Sequence, residues 1–150
     1  MTGLTESLSR FVANPEFGRL PEEVTRIVKT GFIDTAAMVI VGRDEPAARI
    51  VRQFVAARKS AAREARIVFG ADMAASADAA LINATAGHAL DYDDVALASH
   101  PSVVLVPAVL AEGEYLDASG ADVLRAYLVG YEVWAELYTR EPDQYHVKGW

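Results

Sequence analysis

PEEVTRIVKTGFIDTAAMVIVG, residues 21–42, reads as one continuous helix and decides the fold class. Pro21 suits the first helical position, where its missing N–H leaves no bond unmade. Glu22 and Glu23 complement the positive end of the helix dipole. Val24, Ile27, Val28, Phe32 and Ile33 recur at helical spacing and form one apolar stripe. The continuation through Ala36, Ala37, Met38, Val39, Ile40 and Val41 is apolar on every side, which predicts burial, and Gly42 ends it. A helix of this kind needs other helices against it.

The flanking sequence supplies them. Upstream, Leu4, Leu8, Phe11 and Val12 fall on one helical face that Asn14-Pro15 stops. Downstream, Asp44 is expected to cap a third helix with Pro46 in its first turn and Ala47, Ile50, Val51, Phe54 and Val55 inward. Residues 60–64 are polar and read as loop. Arg66-Ile67-Val68-Phe69-Gly70 is the only plausible strand, and one lone strand makes no sheet. Residues 76–90 form a fourth helix, rich in small side chains that permit close packing. Residues 102–114 continue helically despite Pro107, which is expected to kink that helix or lie near its start. Ser119, with Asp122 three positions on, caps a last helix whose bulky face is Val123, Tyr127, Gly130, Tyr131, Trp134 and Leu137. Residues 139–150 turn polar and irregular. The expected fold is all-α with at most one short strand, in a single unit covering 1–150.

Composition narrows the function. A formal net charge of −7 opposes nonspecific nucleic-acid binding, which needs Lys and Arg to replace phosphate counterions. The same sign is awkward for an anionic ligand, which would need local cations. Cysteine is absent, which removes disulfides, thiolate zinc sites, Cys-ligated iron–sulfur clusters and cysteine nucleophiles. Residues 1–13 carry no secretory pattern, and the longest apolar run, residues 103–111, is far short of the roughly 20 residues a membrane span needs. A cytoplasmic protein without a membrane partner is expected. Gly113, Gly120 and Gly130 make no phosphate loop.

One segment is dense in titratable groups: His88-Ala89-Leu90-Asp91-Tyr92-Asp93-Asp94, then Ser99-His100-Pro101. Three carboxylates at a helix C-terminus repel one another and meet the negative end of the dipole. The functional reading is that one of them is held by donors or shares a proton with a histidine, as a general acid or base requires. The plainer reading is a solvated loop with a packed His100. A third is a metal site, since His88 and Asp91 are an i, i+3 pair that Asp93 and His100 could join. Neighbouring His and Asp are common without metal, so no metal is assigned. His146 and Lys148 read as surface residues, and Tyr127, Tyr131 and Trp134 as core or oligomer interface.

Asn83-Ala84-Thr85-Ala86-Gly87-His88-Ala89-Leu90-Asp91-Tyr92-Asp93-Asp94, followed by Ser99-His100-Pro101-Ser102 and an apolar helix, resembles the MmgE/PrpD family. That family includes 2-methylcitrate dehydratase, cis-aconitate decarboxylase and related lyases and epimerases of small polycarboxylates. Gly31-Phe32-Ile33-Asp34-Thr35, Val68-Phe69-Gly70 and Tyr131-Glu132 sit where the family has similar segments. Residues 146–150 look like the start of a motif whose next residue is a histidine.

The resemblance implies the first part of a large helical domain, a cut after Trp150, and an α+β lid domain absent from this chain. It also implies a homodimer and cofactor-free acid–base chemistry on a small polycarboxylate. Asp91 and His100 match active-site positions, with His100 as the proton-transfer residue, Asp91 orienting or polarising it, and Ser99 joining them in substrate binding. Asp93, Asp94 and His88 support the loop. The loop is one residue shorter than in the decarboxylase branch, and Val95 stands where that branch has threonine, which disfavours decarboxylation. The family's later histidine, lysine and tyrosine fall beyond Trp150, so residues 1–150 alone are expected to have negligible activity. A non-catalytic helical dimerisation module and a family decarboxylase or epimerase are the alternatives.

Overall fold

The computed structural model describes residues 3–15, 20–141, 143 and 148–149. Among these, six helices and one small hairpin follow in order: α1 (Leu4–Ala13), α2 (Glu22–Gly42), α3 (Pro46–Ala57), β1 (Ala65–Arg66), β2 (Met73–Ala74), α4 (Ser76–His88), α5 (Pro101–Tyr115) and α6 (Gly120–Arg140). The fold is all-α, as the apolar periodicities require. No helix of the described residues is long and apolar enough to cross a membrane.

In α2, Pro21 is the N-cap, and Val28, Thr35, Val39 and Gly42 are buried on a single face. All-round burial of residues 36–41 is not observed. Ile33, Ile40 and Val41 are exposed, because they project from the opposite face, away from α4 and α5. A similar correction applies to α3. Its N-cap is Glu45, in extended backbone, while Asp44 pairs with Arg43 at 3.1 Å. Ala48 and Val55 point inward, and Ile50 and Phe54 stay exposed. The small residues win because α3 lies close against α4: Ala48 packs with Val39 and Ala86, and Val55 with Ala79 and Ile82.

The extended segment at residues 66–70 resolves into a hairpin. β1 and β2 pair antiparallel, with Ala65 opposite Ala74 and Arg66 opposite Met73. Val68 and Phe69 take left-handed backbone to make the turn. Asn83 pins it to α4, accepting from the Val68 N–H at 2.8 Å and donating to the Arg66 carbonyl at 3.0 Å. Glu114 of α5 accepts from the Arg66 backbone N–H at 2.6 Å and also binds the Arg66 guanidinium.

The centre is α4, packed against α2, α3 and α5, with α6 on the far side of α5. Val28, Val106, Tyr127 and Leu128 form the core between α2, α5 and α6. Pro107 is buried inside α5, which continues through it to Tyr115. Gly87 sets the α4–α5 distance: a β-carbon there would lie 2.7 Å from Val103 Cγ2. Close approach at Gly87 brings the next residue, His88, beside the start of α5.

Candidate active site

The segment joining α4 to α5 is built by three local devices. The Asp91 N–H donates to the His88 carbonyl at 3.1 Å, and Asp91 sits in the left-handed region at φ +55°, which Asp tolerates better than most residues. That reversal carries Asp93 into the protein. Leu97 and Ala98 are also left-handed, and Ala96 and Ser99 exchange both backbone hydrogen bonds, at 2.9 and 3.0 Å, closing a tight turn. Finally His100 is the N-cap of α5, with Pro101 at the first helical position. A residue before proline is biased away from helical backbone, so the sequence itself places His100 at the boundary.

These devices bring four groups together. The Asp93 side chain is fully buried (0 % exposed) and lies between two imidazoles. Its Oδ1 is 2.9 Å from His88 Nδ1, a hydrogen bond, and its Oδ2 is 3.1 Å from His100 Nδ1. The second contact is close but poorly aligned with the ring N–H direction, and both of its atoms are buried without another partner. His100 Nε2 lies 3.4 Å from Asp91 Oδ1, at a carboxylate 76 % exposed. The two ring centroids are 4.6 Å apart. His88 is about half exposed and His100 about a quarter.

Asp94 turns the other way. It accepts from the Ser102 N–H at 3.1 Å and the Ser102 hydroxyl at 2.7 Å, capping the start of α5. The Ser102 oxygen is also 2.8 Å from the Tyr127 hydroxyl. Since Ser102 spends its own hydrogen on Asp94, Tyr127 donates to Ser102. This chain fits only because residue 31 lacks a side chain: a β-carbon at Gly31 would meet the Tyr127 hydroxyl at 2.6 Å. Burial raises the Tyr127 pKa above its ordinary value, the hydrogen bond with Ser102 opposes this, and Asp94 and Tyr131 reinforce it. Tyr131 is raised too, by burial and then by Asp94.

Sequence comparison fixes the lineage. The family model for the MmgE/PrpD N-terminal domain matches residues 6–150, nearly the whole chain. The chain belongs to the MmgE/PrpD family. It is similar to human cis-aconitate decarboxylase, 28% identical over an alignment of 144 residues, with 91% of this chain and 30% of that protein covered. The chain thus spans under a third of the length of that curated relative. No solved structure matches it.

Within this MmgE/PrpD domain, the residues singled out by the family motif divide. His88, Asp91, Asp93 and His100 converge. Ser99 contributes through its backbone to the turn, and Asp94 is a helix cap. His146 and Trp150 of the terminal motif lie outside the described residues, while Lys148 is exposed and pairs with Glu141 at 2.6 Å. The link from Asp94 through Ser102 to Tyr127 escaped the sequence reading, because nothing in their spacing joins them. The central place of Asp93 escaped it as well.

Chemically, the cluster can hold and move protons: two imidazoles share one buried carboxylate, and a second carboxylate sits at the solvent side. One ligand atom from each of the four residues lies within 4.8 Å of the others, so the same set could hold a divalent cation. No Lys or Arg occurs between Arg66 and Arg125. A groove of about 710 Å³ is lined by Phe32, Arg66, Leu110, Glu114 and Val123 among others and contains none of the four. The titratable groups, not the cavity size, locate the site.

Proposed function

We propose that this domain carries part of the active site of a lyase that dehydrates a small hydroxy polycarboxylate, of the 2-methylcitrate type, by acid–base catalysis. The observation that carries the reading is the buried Asp93 between His88 and His100. A carboxylate facing Nδ1 favours hydrogen on that nitrogen and leaves the lone pair on Nε2, the tautomer a general base needs. His100 Nε2 removes the proton alpha to a substrate carboxylate, and exposed Asp91, 3.4 Å from that nitrogen, steadies the imidazolium that forms. The neighbouring hydroxyl leaves as water. Substrate carboxylates are met by cations from outside residues 67–124, which hold none. Assembly as a homodimer belongs to the same reading.

Decarboxylation is the second reading, supported by the similarity to cis-aconitate decarboxylase. Val95 weighs against it, because its exposed isopropyl group offers no hydroxyl where that branch has threonine. The test is to present 2-methylcitrate, citrate and cis-aconitate to the complete protein, following alkene absorbance and carbon dioxide separately. Alkene formation from a hydroxy acid is expected, and His100→Ala lowers it by about 10²-fold or more with the fold intact. Turnover unchanged in His100→Ala removes His100 from the chemistry, and carbon dioxide release from cis-aconitate alone selects the second reading.

A further inference from the structure

We infer that His88 is a second catalytic residue, an acid working opposite His100, and this rests on the lyase reading above. The two rings face the same carboxylate, and the His88 contact is the one aligned as a hydrogen bond. Each turns Nδ1 toward one oxygen of Asp93, at 2.9 Å for His88 and 3.1 Å for His100. Each therefore keeps Nε2 on the side away from the buried carboxylate. A histidine that only propped Asp93 would be covered as Asp93 is. Instead, the His88 side chain is 48% exposed, so a substrate resting on His100 can reach its outer edge.

The backbone favours the acid role for His88 in particular. It is the last residue of α4, where the negative end of the helix dipole stabilises an imidazolium. His100 sits at the opposite kind of end, the start of α5, where positive charge is disfavoured. The ring centroids are 4.6 Å apart, and the two rings flank the one carboxylate of Asp93. An acid and a base thus stand side by side on one carboxylate.

The elimination then balances. His100 Nε2 takes the proton from carbon, and that C–H electron pair becomes the new C=C bond as the adjacent C–O bond breaks. His88 Nε2–H gives its proton to the departing oxygen, which leaves as water. His100 ends protonated and His88 neutral. Loss of one proton to solvent by His100 and gain of one by His88 resets the pair.

The discriminating variant is His88→Asn in the complete protein. The asparagine amide can stand in for Nδ1–H and still donate to Asp93, but it cannot carry a proton. Wild type is expected to dehydrate its substrate, with His88→Asn and His88→Ala both lowering kcat by about 10²-fold or more and KM changing little. Added imidazole restores part of the turnover of His88→Ala. Turnover of His88→Asn within a few-fold of wild type assigns His88 to holding Asp93 and overturns the inference alone. Should His88→Asn fail to fold, the imidazole experiment decides, and no restoration overturns the inference. A wild-type protein inactive on every hydroxy acid offered overturns the lyase reading and the inference with it.

Discussion

Asp93 is the residue on which the site turns. An unpaired buried carboxylate costs several kcal/mol, which the His88 hydrogen bond to Oδ1 and the facing His100 ring offset. Asparagine at 93 would present one acceptor and one donor to two identical Nδ1 atoms, forcing one ring into the wrong tautomer. Asp93→Asn is therefore expected to lower kcat by about 10²-fold or more, whereas Asp91→Asn, at an exposed carboxylate, costs less. Steady-state kinetics of the two variants side by side check the order, and a larger loss at Asp91 refutes it. On paper these aspartates look alike, two residues apart in one acidic run. What separates them is the left-handed backbone at Asp91, which sends one side chain outward and the other in. That is a property of the loop's path and leaves no mark in composition or spacing. The cluster from His88 to His100 stood out from its density of titratable groups, but that density ranked none of its members.

At the scale of elements, the helices were legible because each carries its own apolar periodicity and its own stop. The Ser119 cap is an example: its hydroxyl accepts from the Asp122 N–H at 3.2 Å, as the spacing predicts. Features that depend on a neighbour were not legible. Met73-Ala74 has no strand signature and becomes β2 only by pairing with β1. Ile50 and Phe54 are larger than Ala48 yet lie outside, since the closeness of α3 to α4 selects small side chains. Gly87 shows how such closeness serves the site. Alanine there would press on Val103 and push α4 from α5, so Gly87→Ala is expected to destabilise by about 1–3 kcal/mol. It should also widen the gap between His88 and the start of α5. Urea unfolding of the variant measures the first effect; a midpoint unchanged from wild type would show that the helices absorb the methyl freely.

The molecule as a whole is acidic and holds two tyrosines that resist ionisation, Tyr127 buried and Tyr131 partly buried. Tyr127 and Tyr131 have folded pKa values above the ordinary value of 10.0. In the unfolded chain they lose their protons first, so the stability from burying them neutral is intact below about pH 10 and declines as pH rises through the folded values. Denaturant melts between pH 8 and 11 should show that decline, and Tyr127→Phe should flatten it while costing about 1 kcal/mol at neutral pH for the lost bond to Ser102. An identical alkaline limb in Tyr127→Phe would assign the effect elsewhere. One last consequence follows from the way Asp93 is gripped from both banks of the connecting segment, by His88 before it and His100 after it. Residues 95–98 add no group to that clasp, and their turn is closed by its own backbone hydrogen bonds between Ala96 and Ser99. Insertions or deletions there can reshape what the site admits while the clasp stays fastened, so one reaction core can be fitted to new substrates by changing the length of a single bend.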